Sequence, residues 1–194
     1  MISKYIKFLD DVTAAGALKG IKCSGKEAFV ASYFDLANEH ANSIGYLFSI
    51  DNQASALALL RSCVEASIRG MWIDSCVDNE DKLQTLMNKD NNWPKLAIMV
   101  KQIDEKVGCG NILEERYMGR NYGVLNSFTH GLVQQTQRRF DGKTMRLKLT
   151  DQQLSDVIRE VCFIAYTANI GIAAIAKDDK ALDNIHVLWR ALEI

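Results

Sequence analysis

The sequence predicts an all-α protein, and three features lead to that fold class. Its 194 residues contain one proline, at Pro94, and 48% of them are hydrophobic. Apolar residues recur at intervals of three and four over most of the chain, which is the helical period. Segments of alternating polarity, which predict strands, are almost absent. We therefore expect a single helical bundle, with residues 1–194 in one domain.

Eight helices follow from this periodicity and from the residues that begin and end each segment. They are predicted at 2–14, 26–49, 52–77, 79–89, 93–107, 111–130, 151–176 and 179–192. Asp51, Asn92 and Thr150 stand where N-caps of three of these helices belong. Pro94 would lie in the first turn of the fifth helix, where a missing backbone N–H has no cost.

The third predicted helix carries an unusual set of charges. Between Asp51 and Asp74 its only charged residues are Arg61, Glu65 and Arg69, spaced by four. A surface helix normally carries charges over its whole outer arc, so this helix is predicted to be central and buried. Charges on a buried helix must pair, because an unpaired buried charge costs several kcal/mol.

This arginine–glutamate ladder has two interpretations. Glu65 lies four residues from each arginine and can pair with either, which leaves surplus positive charge for a phosphate, a carboxylate or a second buried acid. Trp72 lies on the same side of the helix and is a candidate binding residue. The alternative is a structural ion network that fixes the register of the helices.

The segment from 120 to 139 contains the second candidate cluster. Gly119, Gly123, Asn126 and His130 fall on one side of the predicted helix and suggest close approach to a neighbouring helix. His130 would emerge at the helix end, beside Gly131. It is either a general acid or base or, in the alternative, a C-cap or a hydrogen-bonded core histidine.

A basic segment follows the histidine. Alternating polarity from Lys143 to Thr150 predicts a short extended basic arm near 143–149. Its cations and those just before it could hold a nucleic-acid backbone, although a solvated loop or an oligomer contact explains them equally well. The cations are Arg138, Arg139, Lys143, Arg146 and Lys148.

The amino-acid composition limits the expected cellular compartment and the expected binding partners of the protein. The five cysteines are far apart and never form a CxxC pair, which favours free thiols in a reducing compartment. The N-terminus lacks the apolar core of a signal peptide, and the longest weakly polar stretch, 161–176, is shorter than the ~20 residues of a membrane span. We expect a cytoplasmic protein with no membrane contact. The net charge of −1 means that nucleic-acid binding would need a local patch.

These motifs resemble those of a bacterial family of uncharacterised all-helical proteins. The family shares a helix of the form R-x3-E-x3-RG-x-W and a THG sequence followed by an arginine pair. The resemblance covers about residues 35–140. It rests on Arg61, Glu65, Arg69, Gly70, Trp72, Thr129, His130, Gly131, Arg138 and Arg139.

More distantly, the chain is similar to the higher eukaryote and prokaryote nucleotide-binding (HEPN) superfamily, which implies a HEPN-like bundle. That superfamily includes RNase toxins, abortive-infection proteins and CRISPR-associated nucleases. Its active motif is an arginine followed, after four to six residues, by a histidine, and two copies meet across a dimer. Here the nearest arginine before His130 is Arg120, with nine residues between them. The resemblance therefore requires Arg61 or Arg69 in the arginine role.

The leading prediction is a metal-independent ribonuclease, or a nucleotide-acting component, of a bacterial toxin or phage-defence system. His130 is assigned as acid or base, Arg61 or Arg69 as phosphate ligand, and Glu65 as the residue that orients an arginine. The candidate binding residues are Trp72, Asn126, Thr129, Arg138 and Arg139. RNA or a nucleotide, a second copy in a homodimer, and an antitoxin or operon partner are the expected partners, with no cofactor or metal.

Two other classes of function stay open at this point. One is a noncatalytic binding or assembly module, in which the same cluster locks the bundle or holds an anionic ligand. The other, weaker, is a metal site made of Glu39, Glu65 and His130. A catalytic site requires His130 and an arginine to converge on accessible space, whereas a structural lock would be closed and dry.

Overall fold

The described part of the chain is helical throughout its regular structure. The computed structural model describes residues 2–16, 23, 25–89, 92–108, 110–118, 120–130, 136 and 149–192, with the backbone alone at 120–122. Within these ranges it has nine α-helices and no strand. They are α1 (Ile2–Gly16), α2 (Gly25–Ser49), α3 (Gln53–Cys76), α4 (Glu80–Asn88), α5 (Leu96–Val107), α6 (Ile112–Tyr117), α7 (Arg120–Thr129), α8 (Asp151–Ala176) and α9 (Asp179–Ala191). The all-α prediction is confirmed for these residues.

Two of the eight predicted helices are wrong in their extent. The segment 111–130 is two helices, because Met118 is extended (φ −103°, ψ −175°) and ends α6. The fifth helix begins at Leu96 rather than 93, since a proline keeps the residue before it out of the helical region. Pro94 thus precedes the helix, and Lys95 takes the N-cap position.

Of the three predicted N-caps, Thr150 is confirmed. Its side chain accepts a hydrogen bond from the backbone N–H of Gln153, and the Gln153 side chain accepts one from Thr150 N–H, which completes a capping box. Asp51 instead adopts a positive φ of 60°, and Asn52 occupies the N-cap position of α3. Asn92 donates its side-chain amide to the Thr85 carbonyl, and α5 begins four residues later.

Helix α3 is central, as the sequence predicts. It packs against α2, α5, α7 and α8, while α1 and α9 complete the bundle around α8. Cys63, Val64 and Ile68 of α3 are fully or almost fully buried. A helix surrounded in this way can expose only a narrow strip to solvent, and the ladder occupies that strip.

Phe34 of α2 packs tightly against glycines of two neighbouring helices. A Cβ atom at Gly171 of α8 would lie 2.2 Å from the Phe34 ring, and one at Gly70 of α3 would lie 2.8 Å from it. The ring thus fills space that both helices leave by lacking a side chain. The close approach predicted at Gly123 is wrong, since a Cβ there would meet nothing within 4 Å; Gly119 lies outside the described residues.

A buried polar network joins α1, α2 and α8, and the sequence did not indicate it. Asn38 Oδ1 accepts hydrogen bonds from Thr13 Oγ1 (3.1 Å) and Asn169 Nδ2 (3.0 Å). Asn42 Nδ2 donates to Thr13 Oγ1 (2.9 Å). Buried hydrogen bonds of this kind fix the register of helices that apolar contacts alone would leave adjustable.

One helix, α8 (Asp151–Ala176), is long and apolar enough to cross a membrane by length and composition. Half of its most apolar window is buried inside the bundle. Core helices with such burial pass the same test, so the feature is weak evidence for a membrane span.

We expect Gly171→Ala to lower the free energy of unfolding by about 1–3 kcal/mol. The new methyl group would overlap the Phe34 ring, which packs against Gly70 on its other side. Gly123→Ala is the control, since it adds a methyl group in open space and should gain up to ~1 kcal/mol from helix propensity. Urea unfolding of both variants measures the difference. Equal stability of the two variants would contradict the proposed packing of Phe34.

We also expect Cys63 and Cys162 to resist alkylation in the folded protein. Both thiols are fully buried. Burial raises the pKa of Cys162 to about 12, and burial together with the charge of Glu160 raises the pKa of Cys63 well above its usual range. Cys23 and Cys76 are only partly buried and should react with iodoacetamide at mildly alkaline pH. Peptide mass mapping with and without guanidinium chloride tests this, and native labelling of Cys63 would refute it.

Candidate functional site

The ladder on α3 forms a complete ion-pair chain. Arg61 Nε donates to Glu65 Oε1 over 2.6 Å, and Arg69 Nη2 donates to Glu65 Oε2 over 2.9 Å. Each oxygen of the carboxylate therefore holds one guanidinium. The side chains of Arg61, Glu65 and Arg69 are 24%, 16% and 30% exposed. The ladder is half-buried and reaches solvent along its length.

His130 meets the ladder at Arg61. Arg61 Nη1 lies 3.1 Å from His130 Nε2, although 69 residues separate the two in sequence. Arginine only donates hydrogen bonds, so Nε2 is the acceptor in this contact, and the hydrogen bond requires the tautomer that carries its proton on Nδ1. His130 is exposed, in the turn that follows α7. The arrangement thus places a proton acceptor beside a guanidinium at the surface.

Packing and hydrogen bonds hold α7 against α3. Phe128 is buried in the core, and Val124 and Leu125 pack beside it. Thr129 Oγ1 donates within α7 to the Leu125 carbonyl (3.0 Å) and across to the Ala58 carbonyl of α3 (3.4 Å). The predicted binding residue Thr129 therefore anchors the end of α7 one residue before His130.

Asn126 and Trp72, two other predicted binding residues, are placed differently. The Asn126 backbone carbonyl accepts from His130 N–H (3.0 Å), and its side-chain Oδ1 is buried with no hydrogen-bond partner among the described residues. Trp72 is only 1% exposed, and its indole N–H donates to Gln102 Oε1 (2.7 Å). Trp72 is therefore a core residue whose polar atom has a hydrogen-bond partner within the bundle.

Trp93 lies at the far end of the ladder, a position that the helical periodicity does not predict. The Arg69 guanidinium is 5.9 Å from the centre of the Trp93 ring, a distance at which a cation is attracted to the aromatic face. Trp93 also contacts the rings of Phe29, Tyr33 and Trp72. The four-residue spacing of Phe29 and Tyr33 places both rings on one face of α2, but this spacing does not identify Trp93 as their neighbour.

Several predicted residues lie outside the described part of the chain. They are Gly131, Arg138, Arg139 and residues 143–148 of the predicted arm. Leu149, at the arm's end, is buried and donates its backbone N–H to Gln53 Oε1 over 2.9 Å. The extended arm stays a prediction.

The described residues contain no group of three or more His, Cys, Asp or Glu side chains able to hold a metal ion. Glu39, Glu65 and His130 all belong to that part of the chain, so the alternative metal site is not formed. The cluster instead combines two guanidinium groups, one carboxylate and a neutral imidazole. Its surplus positive charge suits an anionic group such as phosphate or carboxylate.

The chain belongs to a family whose model is described as a family of unknown function (DUF6988), and the match covers residues 34–193. This agrees with the predicted membership of an uncharacterised family and extends it through α8 and α9. No curated protein and no solved structure matches the chain. The similarity to HEPN bundles therefore stays a prediction.

We expect a double-mutant cycle of Arg61→Gln and Glu65→Gln to give a coupling energy of about 1–2 kcal/mol in the free energy of unfolding, because the pair is half-buried. Lys7 and Asp11 provide a matched control, with the same spacing and the same 2.6 Å distance but with side chains 75% and 38% exposed. That pair should couple by less than ~0.5 kcal/mol. Equal coupling in both cycles would show that burial adds nothing to the ladder.

Proposed function

We propose that the chain is a ribonuclease, or a nucleotide-acting component, that works without a metal ion in a bacterial toxin or phage-defence system. The contact between Arg61 Nη1 and His130 Nε2, at 3.1 Å, is the observation that carries this proposal. It brings together the two groups that cleavage through the 2′-hydroxyl needs. One accepts a proton and the other stabilises negative charge on phosphate.

The proposed reaction uses the lone pair on His130 Nε2. Nε2 takes the proton of the ribose 2′-hydroxyl, the 2′ oxygen forms a bond to the adjacent phosphorus, and the bond from phosphorus to the 5′ oxygen breaks. The departing 5′ oxygen takes a proton from solvent. The products are a 2′,3′-cyclic phosphate and a 5′-hydroxyl. No atom changes oxidation state, and the proposed step uses no metal ion.

Arg61 changes partners in this scheme. Without substrate, its Nη1 occupies the lone pair that His130 needs as a base. A phosphate oxygen competes for the same N–H, and its negative charge makes it a stronger acceptor than neutral imidazole. Phosphate binding thereby releases Nε2, while the Arg61 Nε bond to Glu65 keeps the guanidinium in place. Arg69 is held by the same Glu65 carboxylate and supplies the second positive charge of the site.

The solvent exposure of His130, Arg61 and Arg69 favours a catalytic or binding site over a structural ion network. His130 is exposed, and Arg61 and Arg69 each keep about a quarter or more of their side-chain surface in solvent. A lock would be expected to exclude water from these groups. The remaining parts of the proposal, namely the HEPN-like dimer, the antitoxin or operon partner and the cytoplasmic location, rest on the resemblance and on composition.

A noncatalytic module that holds an anion is the second candidate. It is favoured by the hydrogen bonds within the cluster, because Glu65 engages both guanidinium groups and Arg61 engages His130. The same residues would then bind a phosphate or a carboxylate and leave it unchanged. Measurement of products as well as binding separates the two functions.

We expect purified protein to cleave single-stranded RNA in the presence of EDTA and to leave 2′,3′-cyclic phosphate ends. His130→Ala should lower the rate by roughly 10²–10⁴-fold, the usual contribution of general acid–base catalysis. Arg61→Ala should lower it by roughly 10²–10³-fold through lost charge stabilisation. Single-turnover rates and mass spectrometry of the product ends provide the measurement.

Matched controls are available in the chain. His186→Ala removes a histidine that is bonded to Tyr166 on α8, and Arg159→Ala removes an exposed arginine of α8; both should keep the wild-type rate. RNA with 2′-O-methyl groups should resist cleavage. Cleavage by His130→Ala at the wild-type rate would refute the role of His130. Binding of RNA by folded wild type without cleavage would favour the noncatalytic module.

A further inference from the structure

A cleft lies between α7 and α8, over α3. Its volume is about 270 Å³. Leu57, Leu60 and Val64 of α3 form its floor, and Val124, Leu125 and Phe128 of α7 form one wall. The cleft is therefore largely apolar, as small-molecule sites usually are.

The polar end of the cleft is built from α6 and α8. The buried carboxylate of Asp104 accepts the backbone N–H groups of Leu113 (3.1 Å) and Glu114 (3.0 Å), which fixes the start of α6. Arg116 and Tyr117, at the end of α6, then reach the cleft together with Glu160 of α8. This end of the cleft is positioned by hydrogen bonds that do not depend on any ligand.

Arg116 and Glu160 satisfy each other. Arg116 Nε lies 3.0 and 2.8 Å from the two Glu160 oxygens, and Arg116 Nη2 lies 2.8 Å from Oε2. Burial, followed by the charge of Glu160, raises the Tyr117 pKa well above its usual range, so Tyr117 stays neutral beside the pair. These three groups present no uncompensated charge to the cleft.

Asp156 is different, because its charge is not compensated. It lies one turn before Glu160 on α8, at the exposed mouth of the cleft. Its Oδ1 accepts a hydrogen bond from the neutral amide of Gln152 over 2.8 Å. No ion pair joins Asp156 to any cation among the residues that the structure describes. Among the described residues that line the cleft, one guanidinium faces two carboxylates, which leaves a surplus negative charge.

We propose that this cleft binds a small organic cation with an apolar body, namely a primary alkylamine or arylalkylamine. The ammonium group pairs with Asp156 at the mouth, and the hydrocarbon lies between the apolar side chains of α7 and α3. The apolar lining selects against a hydrated metal ion, and the surplus negative charge selects against a carboxylic acid of the same length. The inference is independent of RNA cleavage.

The test compares three ligands of equal chain length at neutral pH: hexylamine, hexanol and hexanoate. Isothermal titration calorimetry and methyl chemical-shift mapping on the full chain give affinity and location. We expect hexylamine to bind roughly threefold to tenfold more tightly than hexanol, as a partly exposed charge pair allows. Hexanoate should bind most weakly, and the shifts should map to Leu125 and Val157.

Two kinds of variant distinguish the contribution of the Asp156 charge to binding from that of the cavity volume. Asp156→Asn should reduce hexylamine binding to the level of hexanol without altering hexanol binding. Asp35→Asn, at an exposed acid of α2 outside the cleft, is the matched control and should change nothing. Val157→Phe, or Leu125→Trp if that variant fails to fold, should fill the space and weaken hexylamine and hexanol alike. Failure of all three ligands to bind wild type, or an unchanged preference for hexylamine in Asp156→Asn, would overturn the proposal.

Discussion

The burial of α3 is the constraint on which the rest of the structure depends. Four helices pack around α3, so the helix can carry charge only along the strip that they leave open. Charges confined to one strip recur every fourth residue and must neutralise one another. Glu65 does this for both arginines with a single carboxylate. The ion-pair chain is thus a consequence of where α3 lies, and it leaves one positive charge in surplus.

His130 reaches this strip because of how α7 is held. The buried ring of Phe128 and the hydroxyl of Thr129 attach the end of α7 to α3, and the next residue falls beside Arg61. Cluster geometry therefore depends on packing rather than on a local motif. An arginine from one helix and a histidine from another can meet with any spacing in sequence, which removes the need for the short Arg-to-His interval that the chain lacks.

Predictions from the sequence were confirmed for features that a single helix determines by itself. Helix periodicity, the capping box at Thr150 and the pairing of Glu65 with both arginines are local properties, and the structure has all three. The sequence did not predict several contacts between elements. Trp93 near Arg69, and the cleft between α7 and α8, require helix positions that periodicity does not encode. The break at Met118 was missed because the sequence around it continues a helical pattern without proline.

Helix α7 connects the cluster to the cleft. Its end contacts the ladder through His130, while Val124, Leu125 and Phe128 form a wall of the cleft. Phe128 lies two residues before His130, so the wall of the cleft and the contact with Arg61 belong to the same end of α7. The packing that buries Phe128 therefore also determines where His130 lies relative to Arg61, whichever chemistry the cluster performs.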